Sequence, residues 1–155
     1  MDDFTFHLAH RIFHCKSKYF PLYKLFHKKH HEFIHSVSIA AVYSHPVEFI
    51  FVNLLPLMSG MLFLGKNTHL FTYIIYGFFR VVESHESHSG YEIPSYISVL
   101  TGNIYRIIPI FQTSSSYHDF HHFKNVGNYS SFLTIWDTIF QSNESYYAEE
   151  FKKES

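Results

Sequence analysis

Eight histidines stand in three clusters: His10-x3-His14, His27-x2-His30-His31 and His118-x2-His121-His122. Fourteen of the 155 residues are histidine. Residues at i, i+3 and i+4 share one helix face, so each cluster predicts a helix that aims its imidazoles at one place. Imidazole is the commonest protein metal ligand, and its ligating form is neutral near physiological pH. Eight ligands are too many for one ion, so the clusters predict two metals, which in two-metal sites stand roughly 3.5–4 Å apart. All-imidazole ligation with spare positions suits zinc or iron. Zinc would suggest hydrolysis, and iron oxygen activation. His7, His35 and His69 stand alone and read as surface or hydrogen-bonded histidines.

The positioning elements follow from the apolar pattern. Phe4 to His14 lacks Gly and Pro and reads as a helix. Tyr23 to Phe33 reads as a second, with Pro21 near its start and Leu25, Phe26 and Phe33 on its apolar side. Val47 to Leu64 is an apolar run with one acid, Glu48. Eighteen helical residues span roughly 27 Å, close to a bilayer core. Pro56 and Gly60 lie inside it, as membrane helices tolerate. After Gly65-Lys66-Asn67-Thr68 comes a shorter apolar run, Leu70 to Val82. Together the two predict a membrane hairpin over 47–83, with Tyr73 and Tyr76 near an interface. After Gly90 the chain reads as looser, with Pro94, Gly102, Pro109 and a polar run from Thr113 to Ser116. The last histidine helix starts near Tyr117 and ends at Gly127-Asn128; Ser131 to Phe140 reads as a short packing helix.

Composition agrees. The chain has 18 Phe and 12 Tyr but only 16% charged residues, where a soluble domain usually carries about 25%. The deficit predicts surface against lipid or a partner. A net charge of −1, without a basic stripe, argues against nucleic acid. The single Cys15 excludes an internal disulfide and a multi-thiolate zinc site. Arg11, Lys16, Lys18, Lys24, Lys28 and Lys29 precede the hairpin, Lys124, Lys152 and Lys153 follow it, and Lys66 sits at its tip. The positive-inside rule then puts both histidine-bearing ends in the cytosol. No signal peptide is evident at the start. Lys152 and Lys153 resemble a dilysine retrieval signal of the endoplasmic reticulum, or a solvated charged tail. A metal site against a membrane hairpin predicts a lipid substrate. Lipid C–H bonds call for oxygen chemistry, which favours iron.

The same residues carry a family resemblance. His10-Arg11-Ile12-Phe13-His14, Leu22 to Phe33, Tyr43-Ser44-His45-Pro46-Val47-Glu48, Glu83 to Tyr91, His118-Asp119-Phe120-His121-His122, and Gly127-Asn128-Tyr129 with Trp136-Asp137 resemble the fatty acid hydroxylase / sterol desaturase superfamily. Within it they are most similar to the methylsterol monooxygenases (sterol C-4 methyl oxidases). The resemblance implies one all-α integral membrane domain over 1–155. It implies an oxygen-dependent oxidoreductase of the endoplasmic reticulum membrane with two non-haem irons, drawing electrons from NAD(P)H through a b-type cytochrome. The implied substrate is a sterol bearing a C-4 methyl group, with a fatty acyl or other lipid as the alternative. The ligand set it implies is His10, His14, His27, His30, His31, His88, His118, His121 and His122. Nine imidazoles on two six-coordinate ions leave roughly three positions open.

His85, sharing a helix face with His88, is a candidate tenth ligand. His45 is a candidate for a supporting hydrogen bond to a ligand, as are Asp119 and Glu86. The sequence departs from the family pattern at Val42, Gln141, Cys15 and Tyr117, and only nine residues precede His10, where members of the family carry membrane helices. A truncated, non-catalytic metal-binding membrane protein and a soluble helical zinc hydrolase are the competing readings.

Overall fold

The computed structural model describes residues 1–94, 97 and 114–154, and these are helical, turn or irregular, with no strand among them. The expected looser stretch falls largely outside the described residues, including Gly102, Pro109 and Thr113. Helix α1 is Asp2–Phe13, α2 is Pro46–Leu64, α3 is Leu70–Ser87, α4 is Ser115–Lys124, α5 is Ile135–Ile139 and α6 is Glu144–Glu154.

Between α1 and α2 the structure departs from the expected single helix over 23–33. Tyr23–His27 is a π-helical turn and His30–Glu32 a 3-10 turn. The last histidine helix also starts earlier than expected. Ser114 caps it by accepting from the Tyr117 N–H at 3.1 Å, and Asn125 ends it in the left-handed conformation.

Helix α2 carries Pro56, which has no N–H to donate. The preceding segment, Phe49–Leu54, is π-helical, and such widening lets the backbone accommodate the proline. α2 is the one described helix long and apolar enough to cross a membrane. It turns at Gly65 to Thr68 and returns as α3. Both helices expose apolar side chains, Phe51, Leu55, Leu62 and Phe63 on α2 and Leu70, Phe71, Ile74 and Phe78 on α3.

The polar residues of α3 face inward. Buried Arg80 donates to Asp2 of α1 at 3.0 Å, to Glu83 at 2.5 Å and to Ser131 at 3.1 Å. Its guanidinium stacks between Phe6 and Phe132. Tyr76 is turned inward as well, contrary to its expected interfacial place. Its hydroxyl donates to Asp2 at 2.5 Å. It crosses α2 where Gly60 leaves room, since a Cβ there would sit 2.1 Å from the Tyr76 oxygen. The Tyr73 hydroxyl reaches the turn, donating to Gly65 O at 2.6 Å. Apolar packing inside is small, with Phe6, Phe13 and Val52 at its centre. Most fully buried side chains are histidines and their partners.

Candidate metal centre

Nine imidazoles from four parts of the chain meet inside this shell, and they form two groups. His10, His14, His27, His31 and His121 bring one ring nitrogen each within 4.8 Å of one another; His30, His88, His118 and His122 do the same. All nine are buried. The two His-x2-His-His clusters are thus divided, while His10 and His14 stay together. His27 and His31, four residues apart, join the first group and His30 the second. On α4, His118 and His122 lie one turn apart and join the second group, while His121 joins the first.

The nitrogens are oriented from behind. His27 Nδ1–H donates to Glu48 Oε1 at 2.8 Å. His10 donates to Tyr129 O at 2.9 Å, His88 to Ser84 O at 2.7 Å, His121 to Gly127 O at 2.5 Å and His122 to Phe33 O at 2.9 Å. A neutral imidazole that donates through Nδ1 offers only a lone pair at Nε2. Yet the Nε2 atoms crowd. His14 lies 2.8 Å from His27, 3.2 Å from His31 and 3.1 Å from His121, and His27 lies 3.0 Å from His31. In the second group His88 stands 2.9 Å from His118 and 3.4 Å from His30.

Such convergence of lone pairs is repulsive by itself and suits a cation at the centre. Two nitrogens at adjacent corners of an octahedron, each roughly 2.1 Å from an ion, are roughly 3.0 Å apart. The His122 Nε2 has no partner although buried. The donor set therefore fits a metal in each group.

Burial keeps the set neutral. Desolvation lowers His10 and His122 to about 4, His88 to about 3 and His31 to about 2. It also lowers His14, His27, His30, His118 and His121 well below the ordinary histidine value, helped by mutual repulsion of the charged forms. Neutral imidazole is the form that ligates.

The structure does not bring the two further candidates into either group. His45 caps α2, accepting at Nδ1 from the Val47 N–H at 3.2 Å. His85 donates from Nδ1 to Val81 O at 2.9 Å. Asp119 acts one step further out, accepting from Ser36 N at 2.7 Å and so tethering the segment beyond Phe33. The lone histidines are in local roles: His35 bonds Asp119 at 3.2 Å, and His69 caps α3 by accepting from the Phe71 N–H at 3.1 Å. His7 is fully buried against Asp137 at 3.2 Å.

Two acids figure in the sequence motifs without an expected role in the site. Glu48 is one, although a single acid opening an apolar run is a visible signal. Asp137 is the other. It accepts from Tyr117 Oη at 2.9 Å, Tyr129 N at 2.9 Å, Ser130 N at 2.8 Å and Ser142 Oγ at 2.6 Å. Burial alone would raise its carboxyl, but hydrogen bonds from His7, Ser142 and Ser130 outweigh it and bring it down to about 2. Asp137 thereby fixes Tyr129, whose carbonyl holds His10.

A cavity of about 20 Å³ touches both groups, with His10 and His27 from one, His30, His88 and His118 from the other, and Glu48 and Asn53 beside them. The space suits a small molecule or one end of a larger one.

Fold and site together define a class: all-helical proteins that converge histidines from several segments on two adjoining sites competent for metal. The chain belongs to the fatty acid hydroxylase family, whose profile, "Fatty acid hydroxylase", matches residues 1–142. It is 31% identical over 153 residues to methylsterol monooxygenase 2-1 of Arabidopsis thaliana, covering 94% of this chain and 54% of that protein. It is 34% identical over 155 residues to methylsterol monooxygenase 1 of Rattus norvegicus, covering 99% and 48%. It is 33% identical over 148 residues to fatty acid hydroxylase ahd1 of Mycosarcoma maydis, covering 96% and 33%. The chain thus spans about half the length of these monooxygenases and a third of the hydroxylase. No solved structure matches it.

Proposed function

We propose that this chain is the histidine-bearing part of a membrane oxygenase that oxidises a lipid, with a C-4 methyl group of a sterol as the site of attack. The observation that carries the reading is the convergence of nine buried, neutral imidazoles in two adjoining groups, five of them lining one small cavity at the foot of an apolar helix pair. His10, His14, His27, His31 and His121 would hold one iron, and His30, His88, His118 and His122 the other. The bound pair would supply oxygen activation, with electrons from NAD(P)H by way of a b-type cytochrome. Five and four imidazoles on six-coordinate ions leave roughly three positions for other ligands. Glu48 and the carbonyls of Tyr129, Ser84, Gly127 and Phe33 fix the ring orientations, and the buried setting keeps bulk water from the cavity. The exposed apolar faces of α2 and α3 support a hairpin in the bilayer of the endoplasmic reticulum, and the lysines around α1 support histidines facing the cytosol.

The similarity to a fatty acid hydroxylase favours acyl hydroxylation as the second reading. Purification in detergent should yield two irons per chain. One ion per chain, or stable zinc with hydrolytic activity, would sink the reading. Expression in cells lacking methylsterol oxidase should restore oxygen-dependent loss of C-4 methyl groups. Recovery of hydroxylated acyl chains instead would select the second substrate.

A further inference from the structure

α2 carries three polar side chains that are buried or half-buried, in an otherwise apolar span of mean hydropathy 1.9. Two of them have work inside the protein. Glu48 holds His27, and the Ser59 hydroxyl donates to Pro56 O at 2.7 Å and lies 2.8 Å from the Thr5 hydroxyl. The third, Asn53, is half-buried, and its carboxamide meets no hydrogen-bond partner among the described residues. Its position comes from the π-helical segment Phe49–Leu54. Hydrogen bonding from i to i+5 widens the turn and brings residue i+5 closer to the face of residue i than an α-helix does. Asn53 therefore follows Glu48 toward the metal centre, where a regular α-helix would carry it roughly 140° round.

Asn53 also lines a second cavity, of about 110 Å³, walled by Val42, Phe49, Leu54, Leu57 and Val81. This outer cavity and the inner one beside the imidazoles share Ala41, Asn53 and Ser84. The shared residues form a neck between an apolar vestibule, framed by the two hairpin helices, and the metal centre. Near that neck the guanidinium and imidazole donors are engaged, Arg80 by Asp2, Glu83 and Ser131, and His85 Nδ1 by Val81 O.

We propose that Asn53 is a specificity-determining residue that hydrogen-bonds an oxygen of the lipid substrate as its oxidisable carbon passes the neck. The proposal rests on the lipid-oxygenase reading and deepens it. A half-buried carboxamide at the neck is available to bond a polar atom that enters it. The small inner cavity admits a methyl or methylene, not a ring system. The recognised oxygen must therefore lie within a few bonds of the carbon attacked. A sterol 3-hydroxyl beside a C-4 methyl meets that requirement, as does an acyl carboxyl beside its C-2 methylene.

The test measures binding by the iron-loaded chain in nanodiscs. The probes are a tritiated 4,4-dimethylsterol and its 3-deoxy analogue, then palmitic acid and hexadecane. The wild type is expected to hold the oxygen-bearing member of one pair roughly tenfold more tightly, the scale of a single hydrogen bond; the pair that responds identifies the source of the oxygen. Asn53→Leu should erase that preference while keeping its iron and its affinity for the deoxygenated probe, and Asn53→Gln should restore part of it. Asn53→Ala replaces the leucine variant if that one loses iron. A preference that survives loss of the carboxamide overturns the role of Asn53 and leaves the lipid reading standing. Absence of binding to all four probes by an iron-loaded wild type overturns both.

Discussion

Glu48 accepts the Nδ1–H of His27 at 2.8 Å, with both side chains buried and the two residues 21 positions apart in sequence. The contact ties the start of α2 to the π turn that carries the second histidine cluster. It holds the His27 Nε2 lone pair toward its group. Partners of this kind are commonly worth 10–100-fold in metal affinity. Glu48→Ala should therefore lose metal by about that factor, read by competition with a chelator, while far-ultraviolet circular dichroism stays helical. Unchanged affinity would mean that the ring is held by its neighbours alone.

The neutral histidines set a pH dependence. Their folded values are depressed: about 4 for His10 and His122, about 3 for His88 and about 2 for His31. An unfolded chain, with histidines near 6.5, binds protons first as pH falls. The stability of the metal-free protein should thus be at its plateau above about pH 6.5. It should fall steadily through pH 6 to 4 as the unfolded state takes up protons. Melting in detergent across that range checks the sign. A midpoint that rises on acidification would contradict the buried, uncharged state of the cluster.

The sequence showed much of the site and less of how it is built. Eight of the nine histidines are visible because their spacing is helical and their number is large; His88 is reached only through the family resemblance. The expected helix boundaries at α1, α2 and α3 came close for the same reason: long apolar periodicity is a strong local signal. The division into five and four was hidden. It depends on how the four histidine-bearing segments meet in space, a tertiary arrangement that spacing along one helix does not encode. Asp137 was hidden as well. Its role is to gather Tyr117, Tyr129, Ser130 and Ser142, contacts made by tertiary folding.

Gly127 offers a further test of that support. Its φ is +74°, and a Cβ would stand 2.4 Å from the backbone oxygen of Ser142. Its own carbonyl receives the Nδ1–H of His121. An alanine there must move the loop, at a cost of about 1–3 kcal/mol for the strained backbone, and so tilt His121. Gly127→Ala should lower the melting temperature and reduce occupancy of the five-imidazole group first. Full metal content with an unchanged melt would show that the loop yields freely.

Arg80 neutralises a buried acidic cluster. Asp2, Glu83 and Arg80 lie together with little solvent. Removing one partner of a buried pair commonly costs about 3–5 kcal/mol, because a charge is left unpaired. Arg80→Ala should destabilise on that scale. Asp2→Asn should cost less, since it relieves negative charge while the amide oxygen can still accept. Equal losses in thermal melts would place the stabilisation in packing around Phe6 and Phe132 instead.

The hairpin reading predicts opposite exposure of two nearby segments. Lys66 is exposed at the turn between α2 and α3, and Ser17 is exposed between α1 and the π turn. With Cys15→Ser as background, Ser17→Cys in sealed microsomes should react with an impermeant maleimide, and Lys66→Cys only after permeabilisation. The apolar faces bearing Leu55, Leu62, Ile74 and Phe78 would then lie in the hydrocarbon, while the inward Arg80 and Glu83 stay paired, as ionisable groups inside membranes usually do. Labelling of both cysteines in sealed vesicles would place the turn and the histidine-bearing segments on one side. The exposed apolar faces would then call for a partner other than a spanned bilayer.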